Sequence, residues 1–268
     1  MEGHHKSNQK DTYMNVMIMD TETTGLDKPF CYDIGYCIYD TCQHMTVEQK
    51  HFVIEQIWHN LPLFESAYYA QKRPQYVQLM RQHKATMDKW GYVMREIHRD
   101  IQKYGITDAY AYNSDFDDKV ITFNCDWFKC INPFENIAIH DIWGYASQFI
   151  TNTSGYRNYC ETHGYFTDTG NYKGSAEIVY RYIARDDNFE EAHMGLYDVE
   201  IETTILTFCI DFLGAQWNTD YEVKRILERV IPKPFTIKFD KEVVFKGTYL
   251  KKNTRKDVWN FTGVEVEE

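Results

Sequence analysis

Asp20 and Glu22 stand one residue apart at the end of an apolar run, Met14–Met19, and Thr23, Thr24 and Gly25 follow them. Residues i and i+2 of an extended strand project to the same side, so the two carboxylates can reach past the strand end together. Side by side they repel, unless a cation lies between them. Hard divalent ions such as Mg2+ and Mn2+ favour oxygen ligands of this kind. The pair therefore reads as half of a metal site. The D-x-E pattern alone says little, because it recurs at Asp198, Asp220 and Asp240. Only the copy at Asp20 closes an apolar strand and precedes T-T-G.

A metal site needs further ligands, and two more stretches offer them. In Asn113-Ser-Asp-Phe-Asp117, where a strand should meet a helix, Asp115, Asp117 and Asp118 compete. Acids there also serve as plain helix starts, since they favour the positive end of the helix dipole. His193-Met-Gly-Leu-Tyr-Asp198 brings a histidine and an acid to a loop-to-helix junction.

Taken together and in order, D-x-E-T-T-G, N-x-x-F-D and H-x-x-x-x-D over residues 20–198 resemble the DEDDh 3′–5′ exonucleases of the ribonuclease H-like fold. The segments YDIGYCIYD, SAYYAQKRPQY and AEIVYRYI further resemble stand-alone bacteriophage exonucleases. Position by position, the resemblance implies Asp20, Glu22, Asp117 and Asp198 as metal-binding acids and His193 as the general base. The related tyrosine-type group carries tyrosine four residues before its last aspartate, where this chain has Met194. The implied reaction is two-metal hydrolysis of phosphodiester bonds from a 3′ end, with two Mg2+ or Mn2+ ions and nucleoside 5′-monophosphate as product. A histidine suits the base role because its ordinary pKa, roughly 6.5, lies near working pH. Thr23, the backbone at Gly25, and Leu26 would cradle the terminal nucleotide. Phe116 either stacks on a base or packs in the core. The implied partner is the 3′ end of single-stranded nucleic acid, with DNA favoured through the bacteriophage likeness. RNA as substrate, or a non-catalytic module that binds nucleic acid or replication proteins, are the alternatives.

The elements that must position these groups follow from hydrophobic periodicity. Strands are expected at Met14–Met19, Tyr32–Tyr39 and within His44–Ile57, a meander at the head of the fold. Met87, Trp90, Met94, Ile97, Ile101 and Tyr104 recur at steps of three and four, one stripe of a helix that Gly105 stops. Further strands are expected at Ile106–Tyr112 and Ile137–Ile142. Residues 154–174 read as loop with a short helix inside. Ser175 is placed to cap the helix AEIVYRYIA, Arg185–Gly195 as an acidic loop, and Leu196–Leu213 as the last long helix. Strands first and helices afterwards give an α/β fold, a mixed sheet flanked by helices.

With 268 residues and 43% hydrophobic content, the chain can build one substantial core. Its 21 tyrosines argue against a disordered chain. It contains no apolar stretch long enough for a membrane span, and MEGHHKSNQKD lacks the apolar centre of a secretory signal, so a cytoplasmic address is expected, in a host cell if the protein is phage-encoded. None of the spacings among the seven cysteines is C-x-x-C, which points to reduced thiols rather than a zinc site. Net charge is −11 but unevenly spread: Tyr221–Lys256 holds eleven Lys/Arg against four Asp/Glu, a net of +7 that leaves −18 elsewhere. Three regions are expected: a flexible tail over 1–13, the exonuclease domain over 14–214, and a basic extension over 215–268. That extension either tracks the strand upstream of the cut or is a solvated structural appendage.

Overall fold

Strand β1 (Asn15–Thr23) is apolar on both faces: Met17 and Met19 enter one buried cluster, Val16 and Ile18 a second. A strand covered on both sides belongs in the interior of its sheet. The structure, a computed structural model, describes residues 14–223, 233–239, 243–250 and 258–266. The expected tail over 1–13 and much of the basic segment after Val223 lie outside the described residues.

Around β1 the chain builds β2 (Cys31–Asp40), β3 (Met45–Ile54), α1 (Glu55–Trp58), α2 (Leu61–Phe64), α3 (Arg73–Arg81), β4 (Thr86–Asp88), α4 (Trp90–Tyr104), β5 (Asp108–Ala111), α5 (Ser114–Phe128), β6 (Ala138–Asp141), α6 (Ile142–Ala146), α7 (Ser154–His163), α8 (Ala176–Ala184) and α9 (Gly195–Leu213). The sheet order is β4-β3-β2-β1-β5-β6. The meander β1–β2–β3 is antiparallel as expected, whereas β5 runs parallel to β1, β6 parallel to β5 and β4 parallel to β3. The result is the expected mixed α/β sheet. Buried residues of α1–α5, among them Trp58, Tyr76, Trp90, Ile97 and Val120, cover one face. Tyr145, Tyr156, Val179 and Ile205, from α6–α9, cover the other. No helix among the described residues is long and apolar enough to cross a membrane.

Three boundaries differ from expectation for local reasons. β1 continues through both acids to Thr23, because Asp20 still pairs with Gly35 and Glu22 with Asp33 across the ladder. The expected strand over His44–Ile57 ends at Ile54 and turns at once into α1. Met87 belongs to β4, and the helix with the expected stripe begins only at Trp90; it ends at Gly105, whose φ of +64° suits a residue without Cβ. The helix expected inside residues 154–174 stands at their start, as α7 capped by Thr153. Ser175 precedes α8 as expected, but its side chain makes no capping hydrogen bond.

Past α9 the chain stays on the domain. Ala215 is buried, the Trp217 ring lies 5.6 Å from that of Tyr110, and Tyr221 packs edge-on against Tyr145 at 4.8 Å. Further on, β7 (Lys233–Phe239), β8 (Val243–Leu250) and β9 (Val258–Val266) form an antiparallel sheet in that order. The seven cysteines are free; Cys42 is exposed, and Cys31, Cys37, Cys125, Cys160 and Cys209 are buried.

Candidate active site

Even-numbered residues of β1 face α9, the side of Val16 and Ile18, so Asp20 and Glu22 share that side. Odd-numbered Thr21 points the opposite way and donates its hydroxyl to Asp117 Oδ1 at 2.7 Å. Asp117 lies in the first turn of α5 and is 2% exposed, whereas Asp115 and Asp118 on the same turn are exposed. The fold therefore chooses among the three aspartates, and the hydroxyl of Thr21 orients the chosen one. The turn into α5 passes through Asn113 in the left-handed region, φ +65°, with its N–H donated to Asp141 Oδ1 at 2.8 Å.

Asp198 arrives from α9. It is 4% exposed, and its Oδ2 accepts the backbone N–H of Met194 at 2.7 Å, an acid at the positive end of its own helix. Oxygens of Glu22 and Asp198 and a ring nitrogen of His193 all lie within 4.8 Å of one another. Asp20 Oδ2 and Asp198 Oδ1 are sealed from solvent and have no hydrogen-bond partner. Buried carboxylate oxygens are nearly always satisfied by a donor or a cation, so these two invite a positive ion.

The electrostatics say the same. Burial pushes the Asp20 carboxyl well above its ordinary range, and Glu202, Asp117, Asp198 and Glu22 add to the push. Burial raises Glu22 to about 8, with Asp33 contributing, and Asp117 to about 7. Asp198 goes to about 9 through burial and then Glu191. Acids packed this tightly without a counter-charge hold protons in place of the missing positive charge. The donor set of hard carboxylate oxygens with one imidazole fits a divalent cation. His193 moves the other way: burial, and then Lys72, hold its pKa below the ordinary value, so the imidazole is neutral at physiological pH.

The residues expected to cradle a nucleotide follow Glu22 in the chain or, for Phe116, precede Asp117. Thr23 Oγ1 donates to Gly25 O at 3.2 Å, and the Thr24 N–H closes the loop onto Phe30 O at 3.0 Å. Gly25 is exposed with open space beside it, and Leu26 is 73% exposed. Lys119 donates to the Leu26 carbonyl at 3.2 Å. Phe116 is half-buried and packs against the first core cluster.

Two further acids belong to the neighbourhood. Glu202, one turn after Asp198 on α9, is 3% exposed; its Oε2 accepts the Tyr112 N–H at 3.3 Å, and it heads the charges acting on Asp20. The i,i+4 spacing of Asp198 and Glu202 on one helix face was the available signal. Asp33, fully buried, pairs across the ladder with Glu22 and accepts from Tyr76 OH at 2.6 Å and the Gly195 N–H at 2.9 Å, with His51 Nε2 at 2.6 Å. No sequence periodicity marks it, because the hydrogen-bond partners of its side chain lie 18 to 162 residues away.

No protein-family model and no curated protein matches the chain. Among solved structures it is similar to the zinc-ion-bound form of an E. coli ExoI–ssDNA complex, at TM-score 0.50 and 13% identity over 74% of this chain and 41% of that one. It is also similar to the nuclease domain of 3'hExo, a DEDDh family member, bound to rAMP, at TM-score 0.49 and 12% identity over 78% of this chain and 98% of that one. A structure describing 3'-end specific recognition of histone mRNA stem-loop by 3'-exonuclease gives TM-score 0.49 and 9% identity over 96% and 73%. The likeness to ExoI shows a shared fold, and the chain spans about two fifths of the length of that relative.

Proposed function

We propose that the protein is a DEDDh-type, metal-dependent 3′–5′ exonuclease that acts on single-stranded nucleic acid, with DNA preferred. The observation that carries the reading is the grouping of Glu22, Asp198 and His193 within 4.8 Å, with Asp20 feeling the charges of Asp117, Asp198 and Glu22, and with two sealed carboxylate oxygens lacking a partner.

Asp20, Glu22 and Asp198 would hold one divalent cation, and Asp20 with Asp117 a second. Bound there, two such ions, Mg2+ or Mn2+, supply activation of the attacking water and stabilisation of the leaving 3′-oxygen. The chain's own contribution is positioning and proton transfer. Thr21 fixes the Asp117 carboxylate by a hydrogen bond, and the Met194 N–H fixes that of Asp198. His193, kept neutral by its surroundings, accepts the proton of the attacking water. Thr23, the open backbone at Gly25, and exposed Leu26 offer a cradle for the terminal nucleotide, and Phe116 flanks it. The preference for DNA rests on the bacteriophage likeness of the connecting segments.

The test is digestion of 5′-labelled DNA and RNA oligonucleotides of matched sequence with Mg2+, Mn2+ or EDTA, using native protein and Asp20→Ala. Stepwise shortening from the 3′ end is expected, abolished by chelator and reduced at least about a thousandfold by the substitution. Activity that survives both removes the reading. Faster digestion of RNA removes only the DNA preference.

A further inference from the structure

The segment Ser66–Arg73, SAYYAQKR, packs onto the loop that carries His193. The Tyr69 ring lies face to face with the His193 imidazole, centroids 4.2 Å apart and planes 13° from parallel. Tyr68 meets Tyr69 edge-on at 4.8 Å and is itself 84% exposed. Lys72 holds its ammonium 4.7 Å over the Tyr69 ring and donates to the carbonyl of Ala192. The loop is thus gripped beside His193 on both sides, by Lys72 at Ala192 and by Asp33 at the Gly195 N–H. His193 itself has φ +47°. A non-glycine residue persists in that region when its surroundings hold it there, and such residues cluster at functional sites.

We propose that Tyr69, backed by Lys72, is a positioning residue for His193: its ring covers one face of the imidazole and fixes the plane, in which one ring nitrogen lies within 4.8 Å of oxygens of Glu22 and Asp198 and Nδ1 lies 3.7 Å from Glu191 Oε2. This inference rests on the reading of His193 as the base. A ring stacked at this separation restricts rotation of its partner without competing for its lone pairs. A base already in the attacking geometry need not lose rotational freedom during the reaction. The phenol hydroxyl has no part in this role, so the ring and not the hydroxyl should matter.

Two variants separate these features. Tyr69→Phe keeps the ring, and Tyr69→Leu removes it at a half-buried position. In the metal-free protein, the ring current of Tyr69 should shift the His193 ring protons upfield in proton NMR, with His193→Asn identifying the resonances. The shift should persist in Tyr69→Phe and vanish in Tyr69→Leu. In hydrolysis, Tyr69→Leu should lower kcat about tenfold at unchanged KM, while Tyr69→Phe stays within about twofold of native. Unshifted His193 resonances in the native protein, or an undiminished kcat in Tyr69→Leu, overturn the proposal. A Tyr69→Phe variant as slow as Tyr69→Leu does so too, by making the hydroxyl the working group. A native protein inert with every cation overturns the functional reading and this role together, whereas an active native enzyme with an equally active Tyr69→Leu overturns this role alone.

Discussion

Asp20 Oδ2 and Asp198 Oδ1 are the atoms on which the metal argument turns, and their lack of partners has a measurable consequence. Asp117, Glu22 and Asp198 titrate at about 7, 8 and 9 in the metal-free site, all above the ordinary carboxylate range near 4. A raised folded pKa contributes stability that is fully present below the unfolded pKa and is lost as pH rises through the folded value. The metal-free protein should therefore melt at progressively lower temperature as pH climbs from about 6 to about 9. A divalent cation competes with these protons and supplies the charge they replace, so it should reverse the loss, by roughly 5 °C or more at saturating Mn2+ near pH 8.5 and by less near pH 6. Melting curves with Mn2+ and with EDTA at the two pH values check this. A melting temperature indifferent to Mn2+ at both would leave the carboxylates without the role assigned to them. The five residues assigned to the proposed site stood out in the sequence because each sits in a local pattern that survives in one dimension. Glu202 left only its i,i+4 spacing from Asp198 as a signal, and Asp33 left none, since it is a lone acid in an apolar stretch whose meaning comes from partners that the fold brings in.

At the scale of elements, the site depends on how closely α9 can approach β2. A Cβ added at Gly35 would sit 2.1 Å from the backbone nitrogen of Leu196, and one at Gly195 would sit 2.5 Å from the nitrogen of Gly35. Two glycines face to face let the helix start touch the strand, which brings Asp198 to Glu22 and the Gly195 N–H to Asp33. Gly35→Ala must push α9 away, so it should cost about 3 kcal/mol in urea unfolding, the upper end of overpacking penalties. Gly25→Ala, with nothing within 4 Å of the new methyl, should stay within about 0.5 kcal/mol and serves as the control. Equal losses in both would mean that the contact between β2 and α9 does not limit stability. The same pair of elements shows what sequence patterns convey. α4 was legible because a long apolar periodicity outweighs local noise, α9 as a long apolar stretch, and β2 as a run whose ten residues are all buried. β4 has three residues, too few for any period to register. The polar end of β1 read as a terminus, although the ladder to β2 carries it to Thr23, past both acids. α3 gave no helical expectation, yet Pro74 stands in its first turn, where its missing N–H has no helical partner to lose.

For the whole molecule, the difficulty is charge. A body carrying a net −18 outside Tyr221–Lys256 repels a polyanion, while that stretch carries +7. On the proposed function, cations held among Asp20, Glu22, Asp117 and Asp198 would neutralise the cutting point, but their reach would be short, since salt screens exposed charges beyond about 8 Å at physiological ionic strength. Strand upstream of the cut therefore needs another source of attraction, and the basic stretch is the region of the sequence able to supply it. Removal of residues 224–268 tests this, because it retains Ala215, Trp217 and Tyr221, which pack on the domain, and leaves a chain of net charge −15. If the stretch neutralises three or four phosphates, the truncated protein should bind a phosphorothioate oligonucleotide with a log Kd against log salt slope shallower by about 2 to 3, at roughly 0.7 per phosphate for single strands. Hydrolysis of a dinucleotide, which has no upstream strand to hold, should be unchanged. The dinucleotide rate also guards against a trivial outcome, since a misfolded truncation would lose it. A folded, dinucleotide-active truncation with the native salt slope would assign the basic segment to another task and return strand binding to the acidic body itself.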